Sequence, residues 1–351
     1  MKSEIITAFL SIFITAFGPF LRAESPTPAM GQLRLFGRWD LRMPDRAITV
    51  NGGSYILAHF TGPTVDALFD VLLNQPPLPT LAWCIDGGAW QESDMAAKVR
   101  LGDSLSAGAH TLQLMVRATD EHQRRWQAPL TGSVTFLGLD LPGGQLMAPL
   151  DEWDHPKLTI EFLGDSITEG VLVQAPRPGK TTKTWQTDAL DSYSCQAALA
   201  LGAQWRQVGF GGTGLEKSGS GGQPGALTTF NFFYEGCPRD DWQPEMVVVN
   251  QGTNDQKMVT PEAYAPLYAQ YLTMIRQAYP KAKIVALRPF NGAEMPAIQQ
   301  VVDQRHAAGD TQVYFIDTTG WYTGKSLHPD AAADKIIAGK LVDALQTTVL
   351  K

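Results

Sequence analysis

The chain has 351 residues, more than one hydrophobic core usually serves, so two domains are the starting expectation. Its hydrophobic fraction of 44% and charged fraction of 18% are those of a globular protein and exclude a disordered one. A formal charge of -7 with no long Lys/Arg run argues against nucleic acid or an anionic membrane as partner.

At the N-terminus, Lys2 precedes an apolar run from Ile5 to Phe17, followed by Gly18-Pro19 and a short polar exit through Arg22, Ala23 and Glu24. This is the pattern of a secretory signal peptide over residues 1–23, which makes the expected location secreted or periplasmic. The run is short for a membrane span, and an uncleaved anchor is the alternative. Cys84, Cys195 and Cys237 form neither a disulfide framework nor a zinc-ligand spacing. At most one pair could bridge, and free buried thiols are the preferred reading.

From Leu33 to about Gly144, short β-rich segments (AITVNGGSYILAHF, LAWCIDGG, HTLQLMVRAT, SVTFLGLDL) alternate with Gly, Pro, Asn and Asp clusters. With no long helical period among them, they predict a β-sandwich of jelly-roll type over residues 24–150, in which no set of acid, base and nucleophile collects. The Gly/Pro-rich connector LPGGQLMAPLDEWDHPK marks the boundary to a second domain, residues 151–351.

There the apolar runs LTIEFL, WRQVGF, EMVVVNQ, KIVALRP and QVYFID interleave with helical segments, the clearest being PEAYAPLYAQYLTMIRQAYP with Thr260 as N-cap and Pro261 in its first turn. Such alternation predicts a doubly wound α/β domain with a parallel sheet, whose ligands sit beyond the C-terminal ends of the strands. Ser166, the glycine run after Val208, Asn254 and the turn from Arg288 to Asn291 all follow predicted strands and should share that rim.

The stretch LTIEFLGDSITEG, Leu158–Gly170, delivers Ser166 at a strand tip, a candidate nucleophile, although Gly-Asp-Ser alone is also ordinary turn chemistry. A serine needs a base within hydrogen-bond reach. Of six histidines, His328 in SLHPD, at the entrance of a last amphipathic helix, is the one placed for it. Acyl transfer also needs oxyanion donors, and the glycines of GFGGTGLE and the carboxamide of Asn254 in NQGTND offer them, with tight turns as the plain alternative.

These four blocks, in this order, resemble the SGNH (GDSL) hydrolases: Gly164-Asp165-Ser166, the glycine run, Gly252-Thr253-Asn254-Asp255, and His328-Pro329. The resemblance covers Leu158 to the C-terminus. It implies Ser166 as nucleophile, His328 as base, and the N–H of Ser166, Gly214 and the Asn254 side chain as oxyanion hole, with Gly212 as the other choice of glycine. The family usually has an aspartate three residues before the histidine, where this chain has Lys325, which leaves the triad acid open: a dyad with a backbone carbonyl orienting His328 would meet the same need, and Asp317 is the other candidate. Asp165 and Asp255 are read as loop-orienting residues rather than a glycosidase pair.

The whole layout resembles the family-two carbohydrate esterases, which remove acetyl groups from plant polysaccharides such as xylan and mannan and include members with a Ser-His dyad. It implies an acetylated glycan as substrate; the serine mechanism needs no metal or organic cofactor, and a monomer is the expected state. Trp185, Trp321 and Tyr322 are candidate sugar-stacking residues, with Trp242 and Phe290 behind them, against core packing as the commoner fate of such rings. A general lipase or esterase, an acyltransferase, and a non-catalytic glycan-binding protein are the alternatives.

Overall fold

The computed structural model describes residues 30–351 apart from Lys257; the expected signal segment lies outside the described residues. Ten strands come first: β1 (Arg34–Phe36), β2 (Ala47–Thr49), β3 (Tyr55–Thr61), β4 (Val65–Asp70), β5 (Thr80–Ile85), β6 (Gln91–Asp94), β7 (Lys98–Gly102), β8 (Ala109–Ala118), β9 (Val134–Asp140) and β10 (Gln145–Leu146). They form two antiparallel sheets, ordered β1-β3-β8-β5-β6 and β2-β9-β4-β7. Alternate side chains of both sheets, among them Ile56, Phe60, Leu114, Ala67, Phe69 and Phe136, close one apolar core between them. Part of the expected connector is not free: β10 pairs with β3 at Phe60 and Thr61, and the chain then forms a single helical turn, α1 (Asp151–Asp154).

The second half supplies β11 (Thr159–Asp165), α2 (Ser166–Glu169), α3 (Lys183–Gln186), α4 (Tyr193–Ala200), β12 (Gln204–Phe210), α5 (Ala226–Thr229), the small hairpin β13 (Phe232–Tyr234) and β14 (Cys237–Pro238), β15 (Met246–Asn250), α6 (Pro261–Ala278), β16 (Lys283–Leu287), α7 (Met295–Ala307), β17 (Val313–Ile316) and α8 (Ala331–Ala344). The five-stranded parallel sheet runs β12-β11-β15-β16-β17, the order expected of a doubly wound fold. Its strands are buried on both faces. Val247 and Val249 point to α6 and α7, Met246 and Val248 to α4 and α8. α6 starts where its sequence says: the Thr260 side chain accepts from Ala263 N–H, and Pro261 occupies the first turn.

The two halves are joined by buried charge. Arg38, Arg117 and Arg125 of the sandwich half meet Glu161, Asp188 and Glu169 of the α/β half, and five of these six side chains are 2% exposed or less. Tyr55 of β3 stacks on Trp205 of β12 with ring centroids 4.3 Å apart. All three cysteines are buried and free.

Candidate active site

The chain turns from β12 on one side of β11 to β15 on the other, so the crevice beyond β11 and β15 is the switch point of the sheet. Ser166 stands there. β11 ends at Asp165, whose side chain accepts from Ile167 N–H at 2.9 Å and caps the turn of α2, leaving Ser166 at its first position and 5% exposed. The Ser166 N–H, at a first helical position, has no partner within the helix.

His328 reaches the site from the loop between β17 and α8, and its Nε2 lies 2.9 Å from Ser166 Oγ. The loop is held at several points. Asp330 caps α8 by accepting from Ala333 N–H, Ala331 N–H donates to Val173 O at 3.0 Å, and the Tyr322 hydroxyl donates to Ser326 O at 2.9 Å and His328 O at 3.4 Å. Burial lowers the His328 pKa, Lys183 lowers it further, and Glu121 of the sandwich half opposes both.

The orienting group expected on Nδ1 is absent among the described residues: no backbone carbonyl accepts from it. Asp317 is exposed and turned to the Thr319 N–H and hydroxyl, with Arg288 at 3.6 Å, and Lys325 is exposed. The backbone contacts hold the loop that carries the ring, and among the described residues the imidazole's own hydrogen-bond partner is Ser166 Oγ.

The oxyanion donors need one correction. Gly214 N–H donates to Lys217 O at 3.0 Å, and a Cβ on Gly214 would run into the Asp255 carboxylate, which itself accepts from Leu215 N–H at 3.0 and 3.1 Å. Gly214 is thus a packing glycine whose amide is taken. The Gly212 amide has no partner among the described residues, and Gly212 stands in the left-handed region at φ +74, at the tip of the turn after β12. Gly212, the second choice from sequence, is the glycine left to donate. Asn254 Nδ2 lies 3.1 Å from Asp165 Oδ2 and 2.9 Å from Thr213 O, so both of its hydrogens are engaged until an incoming oxygen displaces one acceptor. Asp165 is fully enclosed, and burial, with Asp255 and Glu169 nearby, pushes it up to about 7.

The aromatic candidates divide. Trp185 is 7% exposed and carries Lys180 Nζ 4.0 Å and the Arg117 guanidinium 5.3 Å from its ring centroid, so its faces serve the interface between the halves and not a sugar. Tyr322 spends its hydroxyl on the His328 loop. Trp321 stays partly exposed beside that loop, Phe290 is buried edge-on against Tyr193, and Trp242 lies under Arg206. Sequence reasoning missed Glu121 and Arg125, contributed by the sandwich half, and Glu169. The last was visible in GDSITEG as a charge inside an otherwise buried motif; nothing in the sequence around Arg125 announces its partner.

A parallel sheet of this order with a serine at its switch point and a histidine on its hydroxyl defines an SGNH-type hydrolase. More particularly, residues 162–336 match the GDSL-like lipase/acylhydrolase family. The chain is 28% identical over 300 residues to an acetylxylan esterase / glucomannan deacetylase of Cellvibrio japonicus, covering 82% of this chain and 75% of that one. In fold it is similar to a family two carbohydrate esterase from Cellvibrio japonicus, with a TM-score of 0.76, 21% identity and 92% and 96% of the two chains covered. It is also similar to a family two carbohydrate esterase from Clostridium thermocellum in complex with cellohexaose, with a TM-score of 0.74, 24% identity and coverage of 90% and 99%.

Proposed function

We propose that this carboxylic ester hydrolase removes O-acetyl groups from plant polysaccharides of the xylan or mannan type through an acyl-enzyme on Ser166. The observation that carries the reading is the 2.9 Å contact between His328 Nε2 and Ser166 Oγ at the sheet's switch point. The acetylxylan esterase similarity, spanning both halves of the chain, supports the substrate class. The reading includes residues 24–150 as a jelly-roll domain and 151–351 as the hydrolase domain, and a protein that acts as a monomer after export to the periplasm or medium.

In the first step His328 takes the Ser166 proton as Oγ attacks the acetyl carbonyl. The developing oxyanion is met by the N–H groups of Ser166 and Gly212 and by the Asn254 amide, which releases Thr213 O to do so. The protonated imidazole gives its proton to the departing sugar hydroxyl. Water, deprotonated by the same imidazole, then attacks the acyl-enzyme and frees acetate. Burial helps at this stage, because a lowered pKa keeps His328 neutral and ready to accept a proton.

The test is acetate release from acetylated xylan and from an aryl acetate and an aryl butyrate, with the mature protein beside Ser166→Ala. Release from both acetates that vanishes in the variant, with butyrate slow, supports the reading. Hydrolysis unchanged in Ser166→Ala sinks the serine mechanism, and no release from any ester favours glycan binding without catalysis.

A further inference from the structure

The oxyanion donors of this site come from two separate pieces of chain, the nucleophile turn (Ser166) and the glycine turn (Gly212). Their spacing must be held to a fraction of an ångström for the hole to work. The two pieces are pressed together just beneath the donors: a Cβ on Gly209 would come within 2.6 Å of Glu169 N and 2.9 Å of its Cα. From that contact the Glu169 side chain, 2% exposed, runs under the glycine turn, with its carboxylate near the Gly211 amide but without a hydrogen bond of ordinary geometry to it.

Glu169 is not alone there. Arg125, 1% exposed and carried by the loop between β8 and β9 of the sandwich half, donates through Nη1 to Glu169 Oε1 and to Thr119 Oγ1, the latter at 3.0 Å. Its guanidinium lies 5.2 Å from the centroid of Phe210, the last residue of β12 before the glycine turn. Thr119 Oγ1 in turn donates to Val50 O, so the arginine is also braced from the sandwich side. Among the described residues Glu169 Oε2 has no hydrogen-bond partner by strict geometry, and Arg125 Nε and Nη2 have none. Such a buried pair is a costly way to stabilise a fold, and replacing pairs of this kind by apolar groups is often neutral. Its location suggests a second task.

Building on the esterase reading above, we propose that Glu169 and Arg125 are positioning residues of the oxyanion hole. Glu169 ties the glycine turn to the nucleophile turn through Gly211, and Arg125 neutralises it there from the sandwich half. The sandwich is then part of the catalytic apparatus and not a separable binding module. A neutral acceptor at 169 keeps the tie, whereas an apolar side chain of the same length loses it.

The experiment compares two charge-free variants of the full mature chain, Arg125→Met/Glu169→Gln and Arg125→Met/Glu169→Met, by melting temperature and by kcat and KM on an aryl acetate. Both should melt within a few degrees of each other. The Met/Met variant should lose about 10- to 100-fold in kcat with KM within about twofold, and the Met/Gln variant should recover at least about tenfold of that loss. Equal kcat in the two folded variants overturns the proposal, as does a loss carried by KM. If Met/Met does not fold, Glu169→Asp, which keeps the charge beside Arg125 but withdraws the carboxylate by one methylene, replaces it: a drop in kcat supports the tie and an unchanged kcat overturns it. Wild-type hydrolysis that is absent, or that persists in Ser166→Ala, would instead defeat the esterase reading, so the two failures are distinct.

Discussion

His328 accepts from or donates to Ser166 at 2.9 Å through Nε2, while the opposite edge of the same ring meets no acceptor among the described residues. Its protonation is therefore governed by burial and by two charges, Lys183 lowering the pKa and Glu121 raising it. The base must be neutral to work. The acid limb of kcat/KM should then fall below the ordinary histidine value of about 6.5, with activity rising through that limb to a plateau. Lys183→Met should move the limb up and Glu121→Gln should move it down. Rate profiles of the three proteins on an aryl acetate check this, and shifts of the opposite sense would show that other groups set the titration.

The empty Nδ1 edge makes Lys325→Asp informative. Lys325 is exposed, three residues before His328, so an aspartate there costs little stability and could offer Nδ1 an acceptor. A carboxylate that reaches the ring stabilises the imidazolium. The expected outcome is a several-fold rise in kcat together with an acid limb shifted upward. An unmoved limb would mean that the loop, pinned by Tyr322 and by Ala331 N–H on Val173 O, holds position 325 away from the ring.

The pairing of Ser166 with His328 and the alternation of strands with helices were legible because each is written locally, as GDS at a strand tip, HP before an amphipathic run, and apolar runs separated by helical periods. What was not legible is set by distant pairing. Arg38 and Glu161 are 123 residues apart, Arg117 and Asp188 are 71 apart, and no local pattern marks either member. Spacing placed Gly214 ahead of Gly212, but both fit a turn, and which amide is free depends on where the Lys217 carbonyl falls. Trp185 was misjudged for a related reason, since an aromatic near a rim stacks on sugar only if no arginine or lysine reaches it first, and here both do.

Those buried pairs bear on the independence of the two halves. Removing the sandwich would leave Glu161, Glu169 and Asp188 in the α/β half without their arginines, each a carboxylate buried unpaired. Residues 151–351 expressed alone should be insoluble or lack a cooperative unfolding transition. In the full chain, Arg38→Met should cost about 3–5 kcal/mol, because it strands Glu161, whose remaining partner among the described residues is the Tyr279 hydroxyl at 2.5 Å. Urea unfolding midpoints measure this. A soluble, cooperatively folded 151–351 fragment would show that the pairs are dispensable.

Asp334 gives a prediction about pH and stability. It sits in the first turn of α8, fully buried, and neither carboxylate oxygen has a hydrogen-bond partner among the described residues. Burial, with Asp330 and Asp191 adding repulsion, pushes its pKa up to about 8 from 3.8. In the unfolded chain the group loses its proton above 3.8, while the folded protein keeps it until about 8, so the folded state binds more protons in between. Its contribution to stability is complete below 3.8, declines as pH rises across that window, and levels off beyond about 8. Asp334→Asn removes the titration while preserving shape. The variant should match the wild type near pH 4 and gain on it with each step of pH, reaching an advantage of at least about 3 °C in melting temperature by pH 8. A difference in Tm that does not change with pH would mean that Asp334 is ionised in the folded protein, held by a partner such as an enclosed water.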